Sequence, residues 1–309
     1  MSDIAPHGLH HVTAIAADPQ RNADFYTRVL GLRLVKRTVN FDAPHVYHLY
    51  YGDASGNPSS LLTFFPWPDV EAGCQGAGLM TSTAFGVPPE SLGWWQKRLD
   101  GLGVDADPPR EADGEEVLTL RDPDGLVVDL VAAPGDQRSG WDGTADVPAE
   151  HAVRGLHAIT LSESASEPTA EMLTSLLNMR PSPDGTRFTM PGHDGVAVDV
   201  RGGVREPGRQ AGGTVHHVAF RAPDRATQER WRDQLVTNGL EVTEILDRQY
   251  FTSIYFREPG GVLFEIATDG PGFAVDEPLL ELGRSLRLPP WLEPDRARIE
   301  ANLPPLHVD

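Results

Sequence analysis

Hydrophobic positions along this 309-residue chain change period in a recurring order. Short runs of alternating or β-branched character, LHHVTAIAA, LMTSTAFGV, LHAITLSES and VHHVAFRAP, read as strands. After each comes a stretch with apolar residues at helical spacing: NADFYTRVLGLRLVKR (22–37), PESLGWWQKRLDGLGVDAD (89–107), EPTAEMLTSLLNMRPSPD (167–184) and DRATQERWRDQLVTNGLEVTE (224–244). Glycines such as Gly31 and Gly103 mark where helices stop. Late in each stretch a second extended run follows: SLLTFFP (60–66), RDPDGLVVDLVA (121–132), GHDGVAVDVRG (192–202) and REPGGVLFEIA (257–267). The second and fourth are one hairpin written twice, with Arg, an acid, Pro, a turn Gly and an apolar strand carrying an acid. The pattern predicts four β-α-β-β-β units at about 9–66, 77–133, 155–202 and 214–268, an α+β chain built by internal repetition.

Residues 134–154 interrupt the pattern with Gly, Pro and charge and read as a linker. The expected halves are 1–140 (units 1 and 2) and 150–309 (units 3 and 4, with a Pro-rich tail beyond 270 that wraps the surface).

Composition narrows the function classes. The chain is 39% hydrophobic and 23% charged, with a formal net charge of −19. Such acidity argues against nucleic acid as a partner, because phosphate binding needs clustered Lys and Arg. No apolar run reaches the length of a membrane helix, and the N-terminal stretch lacks a basic region followed by an apolar one. The cytoplasm is the expected location, without membrane association. The single cysteine, Cys74, cannot pair internally and is expected to be a small buried residue.

Chemistry enters with the repeated His-His pair, LHHVT at 9–13 and VHHVA at 215–219. On the first strands the positions compared are His11, Thr81, His157 and His217; on the last strands they are Thr63, Asp129, Asp199 and Glu265. Units 1 and 4 together offer two histidines and a glutamate. Alternation lets one histidine of each pair face a given cavity. Comparison with LHAIT in unit 3 favours the second, so His11 and His217 are expected as ligands, while His10 and His216 point away. Two imidazoles and one carboxylate on rigid strands form a facial triad with open positions, the arrangement of non-haem Fe(II) oxygenases. Thr63 is a poor candidate for a fourth ligand. Phe41, Tyr50 and Phe64 are candidate walls of a pocket for a flat ring. His157, in a unit without a matching Glu, reads as a relic.

The strings HHVTAIA, NADFYTRVLGLRLVKRTVNFD, YHLYYGD, HHVAF and DRQYFTSIYFREPGGVLFEIATDGPGF resemble the hydroquinone ring-cleaving dioxygenases of the vicinal-oxygen-chelate superfamily. The resemblance implies four βαβββ modules paired into two open β-barrel-like domains. It implies metal binding by His11, His217 and Glu265, and work beside the metal for Tyr255, Arg248, His10, Thr13 and His216. Its implied activity is Fe(II)-dependent cleavage of para-dihydroxybenzenes, with a small aromatic substrate and O2 as partners. Mn(II) is the alternative cofactor, since both metals accept these donors. An extradiol catechol dioxygenase, a glyoxalase-like lyase or isomerase, and a non-catalytic quinone-binding protein stay open as other readings. Exposed sheet edges make a homodimer the expected assembly.

Overall fold

In the computed structural model, which describes residues 4–144 and 146–308, the four units are realised as strands around short helices. Unit 1 comprises β1 (Leu9–Ala16), α1 (Pro19–Asp24), β2 (Arg33–Asn40), β3 (Ala43–Gly52) and β4 (Leu61–Pro66). Unit 2 follows with β5 (Leu79–Val87), α2 (Leu92–Leu102), β6 (Arg110–Ala112), β7 (Glu115–Arg121) and β8 (Val127–Ala132). Unit 3 has β9 (Gly155–Ser162), α3 (Glu167–Glu171), β10 (Arg180–Pro181), β11 (Arg187–Met190) and β12 (His193–Arg201). Unit 4 has β13 (Thr214–Ala222), α4 (Arg225–Thr237), β14 (Leu246–Asp247), β15 (Thr252–Arg257) and β16 (Leu263–Thr268). No helix among the described residues is long and apolar enough to cross a membrane.

Two eight-stranded sheets result, β14-β15-β16-β13-β1-β4-β3-β2 and β10-β11-β12-β9-β5-β8-β7-β6. Each unit leaves its first strand at an open edge. Unit 1 closes that edge on unit 4 through antiparallel β1 and β13, and unit 2 closes on unit 3 through β5 and β9. The sheets therefore do not follow the expected grouping of units 1 with 2 and 3 with 4, because edge pairing joins strands that the linker separates. One face of each sheet packs under the helices, where Tyr26, Phe64, Trp95 and Phe220 are fully buried. The other faces are concave.

The repeated hairpins tie the two sheets together. Asp122 accepts the backbone N–H groups of Asp124 and Leu126 within its own turn, and also the hydroxyl of Tyr26 at 3.0 Å, from the helical turn Phe25–Val29 that follows α1 in unit 1. Glu258, its counterpart, accepts Gly260 N–H, Val262 N–H and the Thr169 hydroxyl at 2.7 Å from α3. Glu163, just past β9, presses on the same spot, and a Cβ at Gly260 would lie 1.6 Å from its Oε2. Burial, and after it the Glu258 charge, push the Glu163 carboxyl up to about 8. A folded-state value above the unfolded one means that the folded chain holds an extra proton between roughly pH 4.5 and 8. Stability falls as pH rises through that window and levels off above it. Glu163→Gln keeps a donor to Glu258 without the titration. Its advantage in Tm over the parent is expected to grow from about pH 5 to pH 8.5; an equal Tm at both ends would show that Glu163 is already ionised in the folded state.

The tail beyond residue 270 lies along the edge strand β2. Lys36, fully buried, reaches Asp276 at 2.7 Å and Glu277 at 2.8 Å. Arg33 donates to Leu279 O and Arg37 to Arg284 O. Trp291 meets the ring of Phe41 edge to face at 5.6 Å. Cys74 is exposed rather than buried. It sits in the connection between units 1 and 2, whose contact with residues 207–212 is made by backbone bridges and leaves the thiol outside.

Candidate metal centre

Register explains why the His-His pair occurs twice. Between β1 and β13, Leu9 pairs with Phe220 and His11 with Ala219, so His10 is an extra residue on β1. Further along, Thr13 pairs with His217 and Ala14 with Val215, so His216 is an extra residue on β13. Each pair is thus a β-bulge followed by an in-register histidine. A bulge suspends strict alternation and re-aims its side chain, which corrects the expectation that His10 and His216 turn away. Their rings lie against the neighbours they precede: His10 Nδ1 is 2.9 Å from His11 Nδ1, and His216 Nδ1 is 2.8 Å from His217 Nδ1.

The same register revises the unit-by-unit comparison. On β5 and β9 the extra residues are Thr81 and His157. His157 therefore matches the bulge histidines, and the counterparts of His11 and His217 are Ser82 and Ala158. The reason given for choosing His11 through LHAIT fails, although His11 and His217 are the histidines that converge. His157 instead joins a closed set of charges, bonding Glu115 at 2.7 Å, with Arg187 bridging Glu115 and Asp199. On the last strands Thr63 aligns with Thr13, Asp129 with Ala84, Asp199 with Thr160 and Glu265 with Ala219.

Three donor atoms meet on the concave face of the first sheet. His11 Nε2 and His217 Nε2 are 3.3 Å apart, and Glu265 Oε2 is 3.3 Å from the first and 3.0 Å from the second. All three residues are buried, and among the described residues they form the one His/Cys/Asp/Glu group close enough to hold an ion. A divalent first-row ion with donors at about 2.1 Å and right angles separates those donors by about 3.0 Å, so the arrangement fits. The hydrogen bonding fits as well. Burial, with help from the adjacent histidine, pushes both His10 and His216 down to about 3, so both are neutral and can accept. Accepting the Nδ1–H of His11 and His217 leaves each Nε2 as a bare lone pair facing Glu265. Three lone pairs at 3 Å repel unless a cation sits among them. Burial opposes charge on Glu265, and positive charge at the His11 and His217 end, proton or bound cation, holds its carboxyl well below the usual range. Its other oxygen accepts the Ser253 hydroxyl. Arg257, at the end of the neighbouring strand β15, donates to Gly261 O.

A cavity of about 280 Å³ opens beside the donors, walled by Phe41, Phe65, Phe251 and Leu263, with His48, Tyr50, Arg248 and Tyr255 as polar groups. Phe64 is not among them, since it lies on the opposite face against Tyr26 at 4.5 Å; Phe65, one residue on, is the wall. Tyr255 pairs with Glu265 across β15 and β16. Arg248 donates to the Tyr255 hydroxyl at 3.2 Å, lies over its ring and reaches Asp42 at 3.1 Å. Burial works against the Arg248 charge, but Tyr255 and Asp42 keep its pKa above the ordinary value. Burial and Glu265 raise the Tyr255 phenol, so it retains its proton. Thr13 bonds Thr63 at 2.8 Å, and His48 Nε2 bonds Thr63 at 2.9 Å. His48 was not anticipated. Its signal was alternation: in YHLYYGD, His48 and Tyr50 fall on one face of a strand.

Residues 8–130 and 144–266 both match the Glyoxalase/Bleomycin resistance protein/Dioxygenase superfamily. MhqO and MhqE of Bacillus subtilis (strain 168), whose names provisionally assign ring-cleaving dioxygenase activity, are 40% and 41% identical, with 97% of this chain covered in both and 97% and 99% of theirs. The chlorohydroquinone/hydroquinone 1,2-dioxygenase of Sphingobium indicum is 36% identical over 93% of this chain and 92% of its own. The crystal structure of a Bacillus subtilis protein provisionally described as a dioxygenase superposes with a TM-score of 0.95 at 39% identity, covering 99% of both chains. Maize glyoxalase I shares the fold at a TM-score of 0.60 and 15% identity, over 85% of this chain and 92% of its own. The chain belongs to the Glyoxalase/Bleomycin resistance protein/Dioxygenase superfamily.

Proposed function

We propose that this chain is a cytoplasmic Fe(II)-dependent dioxygenase that cleaves the ring of hydroquinone-type substrates with O2, with His11, His217 and Glu265 as the metal ligands. The observation that carries the reading is the convergence of His11 Nε2, His217 Nε2 and Glu265 Oε2 beside an aromatic-walled cavity. Names of relatives that match nearly end to end support it. An apolar cavity of about 150 Å³ accepts benzene, so 280 Å³ has room for a substituted ring and a small second molecule. Fe(II), when bound, supplies open positions at which a ring hydroxyl and dioxygen become neighbours. His10 and His216 hold the ligand rings in the tautomer that leaves Nε2 bare, the outer-partner role usual for metal-bound imidazole. Arg248 stays cationic and steadies negative charge that develops on oxygen inside the cavity. Tyr255, protonated and oriented by Arg248, donates a hydrogen bond to the same region. Thr13 fixes Thr63 where a fourth ligand would otherwise stand.

The test is oxygen consumption by anaerobically purified, Fe(II)-reconstituted protein given hydroquinone, methylhydroquinone, catechol and their chlorinated forms, with His11→Ala as control. Uptake with hydroquinones that is lost in the control is the expected result. Uptake with catechols alone would reassign the substrate, and none with any diol would remove the dioxygenase reading.

A further inference from the structure

Units 1 and 4 place a tyrosine at the same position. Tyr255 pairs across strands with Glu265, and Tyr50 pairs across strands with Thr63, the unit 1 counterpart of Glu265. In the order β15-β16-β13-β1-β4-β3 the two tyrosines flank the donors from opposite sides, and both line the cavity. Tyr255 is held by Arg248. Tyr50 is held by His48, whose Nδ1 lies 2.8 Å from the Tyr50 hydroxyl while its Nε2 is engaged by Thr63.

Both nitrogens of His48 are thus occupied, and burial pushes its pKa well below the ordinary value. It is a neutral positioning residue and leaves no nitrogen for a ligand. Tyr50 differs. Its ring is 1% exposed and packed against Phe273 and His48, and its hydroxyl makes one hydrogen bond with capacity for another. If Tyr50 donates to His48, its oxygen remains an acceptor toward the cavity. If His48 donates, the phenolic proton is free to be given. A hydroxyl on a bound ring answers either case.

We propose that Tyr50, positioned by His48, hydrogen-bonds the substrate hydroxyl remote from the metal ligands and so selects para-diols. The inference rests on the function proposed above. In a para-diol with one oxygen at the His11, His217 and Glu265 end, the second oxygen stands at the far end of the ring. In an ortho-diol both oxygens crowd the near end, and Tyr50 has nothing to meet.

The experiment measures anaerobic binding of hydroquinone, 4-methylphenol and catechol to the Fe(II)-reconstituted protein by calorimetry, beside KM and kcat for hydroquinone from oxygen uptake. 4-Methylphenol has nearly the shape of hydroquinone without the second oxygen. The parent should prefer hydroquinone. Tyr50→Phe should weaken hydroquinone about tenfold, the loss of one buried hydrogen bond, raise KM similarly and leave 4-methylphenol and catechol unchanged. His48→Ala should erode the preference, and His48→Gln, which can still pair with Tyr50, should restore part of it. A Tyr50→Phe protein with parental metal content that keeps its preference for hydroquinone, or weakens all three ligands alike, overturns the inference and leaves the dioxygenase reading intact. A parent protein that neither binds nor consumes hydroquinone overturns both.

Discussion

Glu265→Gln is expected to abolish iron retention and oxygen uptake while leaving the fold in place. Glutamine keeps the shape of the side chain and an oxygen for the Ser253 hydroxyl, which now donates to Glu265. It removes the negative charge and can present N–H where a lone pair is needed. Loss of an outer partner of a metal ligand costs about 10–100-fold in affinity, and loss of the only anionic ligand should exceed that range. His10→Ala provides the contrast. It leaves the three donors intact and removes only the acceptor 2.9 Å from His11 Nδ1, so metal binding should weaken within those limits. Iron content after gel filtration and the rise in Tm on adding Fe(II) without oxygen separate the cases. An ion at a hundred times its Kd stabilises by about 2.7 kcal/mol, and that increment should vanish in Glu265→Gln and persist at higher iron in His10→Ala. Full iron content in Glu265→Gln would place the metal elsewhere.

The four units were legible because helix and strand periods alternate with glycine stops, and the carboxylate register was legible in units 2 and 4 because their last strands follow the same turn. The choice within each His-His pair was not. A bulge is a property of two paired strands, and neither LHHVT nor VHHVA shows that the other will oppose it. The same limit hid the pairing of unit 1 with unit 4, which depends on open edges meeting in space. His157 is a different case: LHAIT laid on LHHVT already sets it against His10, and β9 carries it as the bulge residue. Phe64 and Phe65 were interchangeable by composition, and only the direction of β4 assigns one to the core and the other to the cavity. Lys36 offered no signal beyond being one of two lysines in an arginine-rich chain.

Lys36 nevertheless carries the second large effect. It is fully buried on β2, with its ammonium between Asp276 and Glu277 and 5.0 Å from the centre of the Tyr250 ring. Burial alone would raise the Glu277 carboxyl, yet Lys36, joined by Gly283 N–H and Arg287, holds it below the ordinary value. Lys36→Met fills similar space and strands Glu277 as a buried acid without its principal cation. Breaking a buried pair in this way costs about 3–5 kcal/mol, and Tm should fall by something on the order of 10 °C. The dependence on pH follows from the shift. In the parent, a depressed folded-state value makes the Glu277 contribution complete above roughly pH 4.5 and lost as pH falls below it. In Lys36→Met the acid is raised, so protonation relieves it, and the gap between the two proteins should narrow toward pH 4. Adding Glu277→Leu should recover much of the loss, because an apolar pair can replace a buried ionic one at little net cost. The tail also reaches the cavity, since Trp291 packs on Phe41 and Phe41 lines the cavity wall. Lys36→Met should therefore raise KM for hydroquinone at temperatures where the protein is still folded. A parental KM with a lowered Tm would confine Lys36 to holding the edge of the sheet.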